Sequence, residues 1–185
     1  MIRALEMLMT PELSVPRVLV CGSRHWPWPA AVERALDRLS ARYGDRLVII
    51  EGAASGADRA AHDWCDARGL ETDRHRCFPV DWQAERRARP KDWRAAGPER
   101  NTRMLLEEHP RLIVAFHDQF DPGSGGTSDM CLRGLLKDVP VWLVHGENPQ
   151  AGAWLRLSAF PEKRADKVRS ELGISSNVPG LFEAQ

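Results

Sequence analysis

Residues 97–129 read GPERNTRMLLEEHPRLIVAFHDQFDPGSGGTSD, and the order of their pieces decides the fold. Gly97-Pro98 predicts the start of a short helix carrying Arg100 and Asn101 in its first turn. Leu112 to Phe116 is an unbroken apolar run, the pattern of a buried strand. Pro122 to Thr127 is a glycine-rich loop that opens the next helix. In an open parallel sheet, the loops at the carboxyl ends of the strands line the ligand crevice. A glycine loop running into a helix N-terminus presents backbone N–H groups to an anion, usually phosphate. The helix dipole disfavours a cation in the first turn by a few tenths of a kcal/mol, on the order of its usual effect. Arg100 there implies an anionic partner, or a solvated surface side chain. Arg100 and the loop flank one strand and are expected to converge on one phosphate. The stretch reads as half of a pocket for a phosphorylated nucleotide or nucleotide derivative.

Upstream, the same alternation repeats. Residues 17–22 (RVLVCG) form a short apolar run ended by glycine, and Ser23, Arg24, His25 and Trp26 follow on its carboxyl end. Pro29 suits the first turn of a helix reaching Tyr43, with Val32, Ala35, Leu36 and Leu39 inward at helical spacing. Leu47 to Ile50 is a second buried strand. Its loop, Glu51 to Asp58, consists mostly of small residues that let a ligand approach the backbone. A helix over about 57–68 stops at Gly69. Glu71 to Phe78 reads as a weaker third strand near an edge, and Gln83 to Ala96 as a charged surface excursion able to order over a ligand. Downstream, a helix runs to about Lys137, and Val139 to His145 is a fifth strand. Strand–helix alternation predicts an α/β domain, a Rossmann-like doubly wound parallel sheet of about five strands with flanking helices. The expected organisation is an N-terminal arm (1–15), the nucleotide-binding domain (16–146) and a C-terminal extension (147–185). The extension holds one charged helix over about 161–172 and a loose tail from Ser175.

Composition narrows the classes. The chain has 185 residues, with 26 Lys+Arg against 26 Asp+Glu. One domain with a substantial core is the default. The balanced charge gives the chain as a whole no footprint for duplex nucleic acid or an anionic membrane. Cys21, Cys65, Cys77 and Cys131 form no CxxC pair, which fits reduced thiols in a cytoplasmic protein rather than a zinc knuckle. No apolar run approaches the roughly 20 residues of a membrane span. The N-terminal residues are too polar for a signal peptide.

Gly123-Ser124-Gly125-Gly126-Thr127 is the sharpest chemical signal. It is neither GxxxxGK[ST] nor GxGxxG, so ATPase and NAD-dehydrogenase readings lack their motifs, and no cofactor is expected. Its alternative is a plain surface turn. Glu51, Asp58 and Asp129 are carboxylates at strand ends or helix starts, suited to ribose hydroxyls or to assisting glycosidic cleavage. Asp58 and Asp129 fit N-terminal capping equally. Gly22, Ser23 and Arg24 stand where a base or phosphate would lie, as do Gly52, Ala53 and Gly56. Trp26, Trp82 and Trp93 suit core or lid packing better than base stacking, although Trp82 is kept as a ligand-binding candidate. His25 has no second histidine at ligand spacing, and no metal site is expected.

In order, the chain carries Gly22-Ser23-Arg24, Gly52-Ala53 with Gly56-Ala57-Asp58, Pro79 to Trp82, Arg100-Asn101 with Met104, and Gly126-Thr127 with Asp129-Met130. Together these resemble the SLOG superfamily, which includes the Lonely Guy (LOG) phosphoribohydrolases. The match is to its YspA-type (DUF2493) branch, over about 17–145. The resemblance implies a Rossmann-like domain, often a homodimer, that binds nucleotides or ADP-ribose-like ligands, in some members as a sensor. It also implies, for LOG-like members, a hydrolase cleaving the N-glycosidic bond of nucleoside 5′-monophosphates. Their signature is PGGxGTxxE, preceded by an Arg that Arg100 matches. Here the Glu position falls on Met130, with Asp129 one residue earlier, a rotation of about 100° on a helix. Asn101 replaces the usual Lys, and residues 117–121 add length. These departures weigh against hydrolysis and leave phosphate binding intact. On this reading Arg100, Asp129 and Glu51 are the catalytic candidates. Asn101 and Gly123, Ser124, Gly125, Gly126 and Thr127 join the residues above as ligand contacts. A third class, a single-strand DNA-binding partner of the DprA type, rests on analogy of fold alone, and the mixed charge argues against it.

Overall fold

A computed structural model describes residues 16–174. The arm expected over 1–15 and the tail expected over 175–185 lie outside the described residues. The described chain runs β1 (Arg17–Gly22), α1 (Pro29–Tyr43), β2 (Val48–Glu51), α2 (Ala57–Ala67), β3 (His75–Cys77) and α3 (Trp82–Ala88). It continues through α4 (Ala96–Glu108), β4 (Leu112–Phe116), α5 (Gly126–Leu136), β5 (Val141–Val144), β6 (Ala153–Trp154) and α6 (Glu162–Glu171). The strands form one sheet in the order β3-β2-β1-β4-β5-β6. The first five are parallel and β6 is antiparallel to β5. Chain progression reverses between β1 and β4, and in open α/β sheets that reversal opens a crevice beyond the strand ends.

The two-residue period of the strands divides the core into layers. Val18, Val20, Ile49, Val114 and Phe116 pack with Val32 and Leu36 of α1 and Ala57 and Ala61 of α2. Leu19, Cys21, Ile50, Ile113 and Ala115 pack with Met104 of α4, Met130 and Leu132 of α5, and Val168 of α6. Burying each large aliphatic side chain contributes about 1.5–3 kcal/mol. Ile113, fully buried between α4 and α5, is therefore a costly position to truncate.

The elements refine the sequence expectations. The sheet has six strands, because Ala153–Trp154 returns alongside β5 with Trp154 opposite Trp142. β3 covers only His75–Cys77, since Arg74 and His75 both donate to the Glu71 carbonyl and close a turn ahead of it. The excursion at 83–96 contains α3, capped by Asp81 onto the N–H groups of Gln83 and Ala84, and a 3-10 turn over Trp93–Ala95. That turn winds the chain before Gly97, so α4 starts at Ala96 and is 13 residues long rather than short. Arg100 consequently sits in its second turn, not its first, where the dipole penalty has largely decayed. No helix among the described residues is long and apolar enough to cross a membrane.

Candidate functional site

The crevice opens where β1 and β4 end. Ser23 N–H donates to the Phe116 carbonyl at 2.8 Å, and the Ser23 carbonyl accepts from Ala57 N–H at 3.2 Å, fixing the start of α2 beside β1. Gly56 makes this corner feasible: its φ is +75°, and a Cβ there would run into Ser23 and Arg24 backbone. A chamber of about 610 Å³ lies over this point, bordered by Gly22, Ser23, His25, Asp58, His117 and Thr127. Beside it is a larger chamber of about 900 Å³, walled by α3, the 3-10 turn, the glycine loop and α6. Arg24, Arg100, Asn101 and Gly126 border both, so the two are parts of one cleft.

The glycine loop is already partly engaged. The Asp121 carboxylate accepts from Gly123 N–H at 2.7 Å and from the Ser124 hydroxyl at 2.7 Å, while its carbonyl takes Ser124 N–H at 3.3 Å. Those bonds hold the Asp121 carboxyl below its ordinary range, Ser124 contributing most. Gly123 and Ser124 therefore do not offer free amides, contrary to expectation. Gly125, with φ +89°, precedes α5 without side-chain capping. The first-turn amides of Gly126, Thr127 and Ser128 have no intrahelical acceptor, and Gly126 and Thr127 border the cleft. Arg164 of α6 clasps the loop, donating to Pro122 O at 2.6 Å, Ser128 Oγ at 2.9 Å and Gly125 O at 3.3 Å.

Arg100 crosses to the opposite wall. Its Nη1 donates to the Gly52 carbonyl, and a Cβ at residue 52 would overlap the guanidinium, so any larger residue there must displace the end of Arg100. Arg100 Nε is buried with no hydrogen-bond partner. Leaving a charged donor unsatisfied is costly, which suits a guanidinium that completes its bonding on a guest. Asn101 ties this helix to the loop, donating to Gly126 O at 3.3 Å and Asp129 Oδ2 at 2.8 Å.

The three carboxylates take different roles. Asp58 is 3% exposed and faces the smaller chamber. Burial pushes its carboxyl up to about 6, against the pull of Arg100 and a bond from Gly52 N–H at 3.1 Å. Asp129 borders the larger chamber, but Arg133 holds both its oxygens, at 2.8 and 3.1 Å, and Asn101 holds Oδ2 as well. Both its oxygens are thus already engaged by protein partners. Glu51 does not reach the cleft. It shares the face of Ile49, and its carboxylate turns to His62 Nδ1 at 3.0 Å and His75 Nε2 at 3.1 Å. Gly52, Ala53 and Gly56 likewise support the wall without bordering either chamber.

The larger chamber is strongly cationic in a chain of zero formal charge. Eight Lys and Arg line it: Arg24, Arg86, Arg94, Arg100, Arg133, Lys163, Arg164 and Lys167. Only Asp129 and Glu171 oppose them. Among the described residues, Arg133 and Lys167 alone of the eight lie within 4.0 Å of a carboxylate. Trp82 and Trp93 pack edge to face at 6.0 Å. Arg86 and Arg94 lie 4.4 and 4.6 Å from the Trp93 ring, and Arg24 lies 5.9 Å from Trp82. Trp26, by contrast, is core, bonded to Trp28 O at 2.7 Å and packed on Phe116. The α6 cations and Arg86, Arg94 and Arg133 carry no motif. The visible signal was the spacing of Lys163, Arg164 and Lys167 on one helix.

An open α/β sheet with a cationic cleft at its switch point defines a Rossmann-like domain. Residues 16–84 match the model of the YspA, cpYpsA-related SLOG family, so the resemblance read from the sequence is borne out over that stretch. A match of this kind supports a nucleotide-related binding role at most. The crystal structure of DNA processing protein A (DprA) from Streptococcus pneumoniae is similar, with a TM-score of 0.53 at 18% identity over 90% of this chain. This chain spans 58% of that one, and at this identity the likeness establishes the fold alone. No curated protein matches the sequence.

Proposed function

We propose that this chain binds a phosphorylated nucleotide derivative of the ADP-ribose type. The observation that carries this reading is the convergence of free α5 amides, the half-satisfied Arg100 and a surplus of unpaired cations on one cleft. A pyrophosphate would meet Gly126 to Ser128 and Arg100. The second sugar or base would extend toward Trp82 and Trp93, where flat rings and arginine planes favour stacking. Volume agrees, since ligand cavities usually span about 300–1,000 Å³.

The test is a thermal-shift panel of ADP-ribose, NAD, AMP and phosphate-free adenosine, with labelled single-stranded DNA as a separate arm. Stabilisation by the phosphorylated compounds but not adenosine is expected. Equal response to adenosine, or response to DNA alone, would overturn the reading.

A second reading, a hydrolase acting on nucleoside monophosphates, draws on Asp58. A buried carboxyl titrating near 6 beside an arginine in a cleft is suited to proton transfer. Asp129, with both oxygens held, is a positioning group for Arg133 and Asn101 in this reading. Chromatographic detection of free base, lost in Asp58→Asn, would support hydrolysis. Its absence with every monophosphate leaves the binding reading.

A further inference from the structure

We propose that Glu51, His62 and His75 form a binding site for a divalent transition metal of the zinc class, on the far side of the sheet edge from the cleft. Glu51 Oε1, His62 Nδ1 and His75 Nε2 all lie within 4.8 Å of one another. Both imidazole nitrogens aim at the same carboxylate oxygen, at 3.0 and 3.1 Å. Ligand atoms about 2.0–2.2 Å from a tetrahedral zinc stand about 3.3–3.5 Å apart, so the two Glu51 contacts need to open by only tenths of an ångström, while the two imidazole nitrogens, within 4.8 Å of each other, settle to the same spacing.

A second carboxylate stands behind His62. His62 Nε2 lies 3.4 Å from Asp66 Oδ2. A histidine that gives its second N–H to a carboxylate is the usual orientation of a metal-ligating imidazole. Asp66 is placed to take the Nε2–H when Nδ1 turns its lone pair to an ion. His-His-carboxylate is a donor set suited to zinc, with a fourth position open to water. Access is available, because the His62 side chain is 30% exposed although those of Glu51 and His75 are 0% and 8%.

The location gives the site a consequence. Glu51 Oε2 accepts from Ala53 N–H at 2.5 Å, and Ala53 is held at φ +55°. Between them Gly52 receives Arg100 through its carbonyl. A metal on Glu51 would stiffen the segment that seats Arg100, without touching any ligand in the cleft.

Calorimetric titration of Zn2+ alone into the untagged, chelator-stripped full chain tests this. One ion per chain is expected, with a higher Tm and four-coordinate visible bands when Co2+ replaces Zn2+. His62→Gln and His75→Ala, checked for folding by circular dichroism, are each expected to weaken binding at least tenfold. Cys77→Ser is expected to retain it, because Cys77 stands opposite Glu51 in the strand register but outside the trio. His62→Gln, at the most exposed of the three, keeps the test valid if His75→Ala fails to fold. No saturable binding, wild-type affinity in both histidine variants, or loss only in Cys77→Ser would overturn the proposal.

Discussion

The two ends of the sheet treat charge in opposite ways. At the amino end, Glu108 is 2% exposed and is met by Arg17 and by Arg76 at 2.8 Å, a closed ionic cluster. At the carboxyl end, six of the eight cations on the larger chamber have no carboxylate within 4.0 Å among the described residues. The first arrangement holds β1, β3 and α4 together and needs nothing further. The second gathers like charges that repel one another and neutralise only when an anion arrives. Charge that maintains the fold comes with its partner, and in the proposed function charge without a carboxylate partner is what meets the ligand.

The contrast can be broken by exchanging the expected phenotypes. Glu108→Gln should have the largest effect on stability, on the order of 2–4 kcal/mol by urea denaturation. The loss is below the full buried-pair figure because both arginines reach solvent, and ADP-ribose affinity should not change.

Next is the pH dependence from Asp58. Its folded carboxyl, at about 6, lies above its unfolded value. The contribution is therefore fully present below about pH 4 and is lost as pH rises through 6. Relative to Asp58→Asn, which cannot ionise, the wild type should lose up to about 3 kcal/mol between pH 4 and pH 8. Parallel stability profiles for the two proteins would remove burial as the controlling influence on this group.

Gly52→Ala comes third. The new methyl meets the movable end of Arg100 rather than backbone, so about 1 kcal/mol is expected, with a larger drop in ligand affinity. Smallest in stability is Arg86→Ala with Arg94→Ala, expected within about 0.5 kcal/mol of wild type but weaker for ADP-ribose and less sensitive to salt. Loss of stability there would mean that the cleft cations serve the fold.

Much of the scaffold was legible because its signals are local. The buried strands are short apolar runs, and Pro29 with Val32, Leu36 and Leu39 gave the limits of α1. β6 was missed because two residues carry no period, and its pairing depends on the return of the chain after the Asn148-Pro149 turn. The glycine loop and Arg100 were legible as residues, but their bonding was not. Asp121 satisfying Gly123 and Ser124 depends on loop conformation, and Arg100 reaching Gly52 joins positions 48 residues apart. Glu51 could have been excluded from the cleft by its strand period, which sets it on the face of Ile49. The cationic wall was invisible to a net charge of zero, because α3, α4 and α6 supply it from distant parts of the chain.

The most direct measurement is calorimetric titration of ADP-ribose into the wild type and Arg100→Ala, each at low and at near-physiological salt. Saturable binding that weakens at least tenfold without Arg100, and falls as salt rises, is the predicted result. Wild-type affinity in Arg100→Ala, or no binding of ADP-ribose at either salt, would contradict the account.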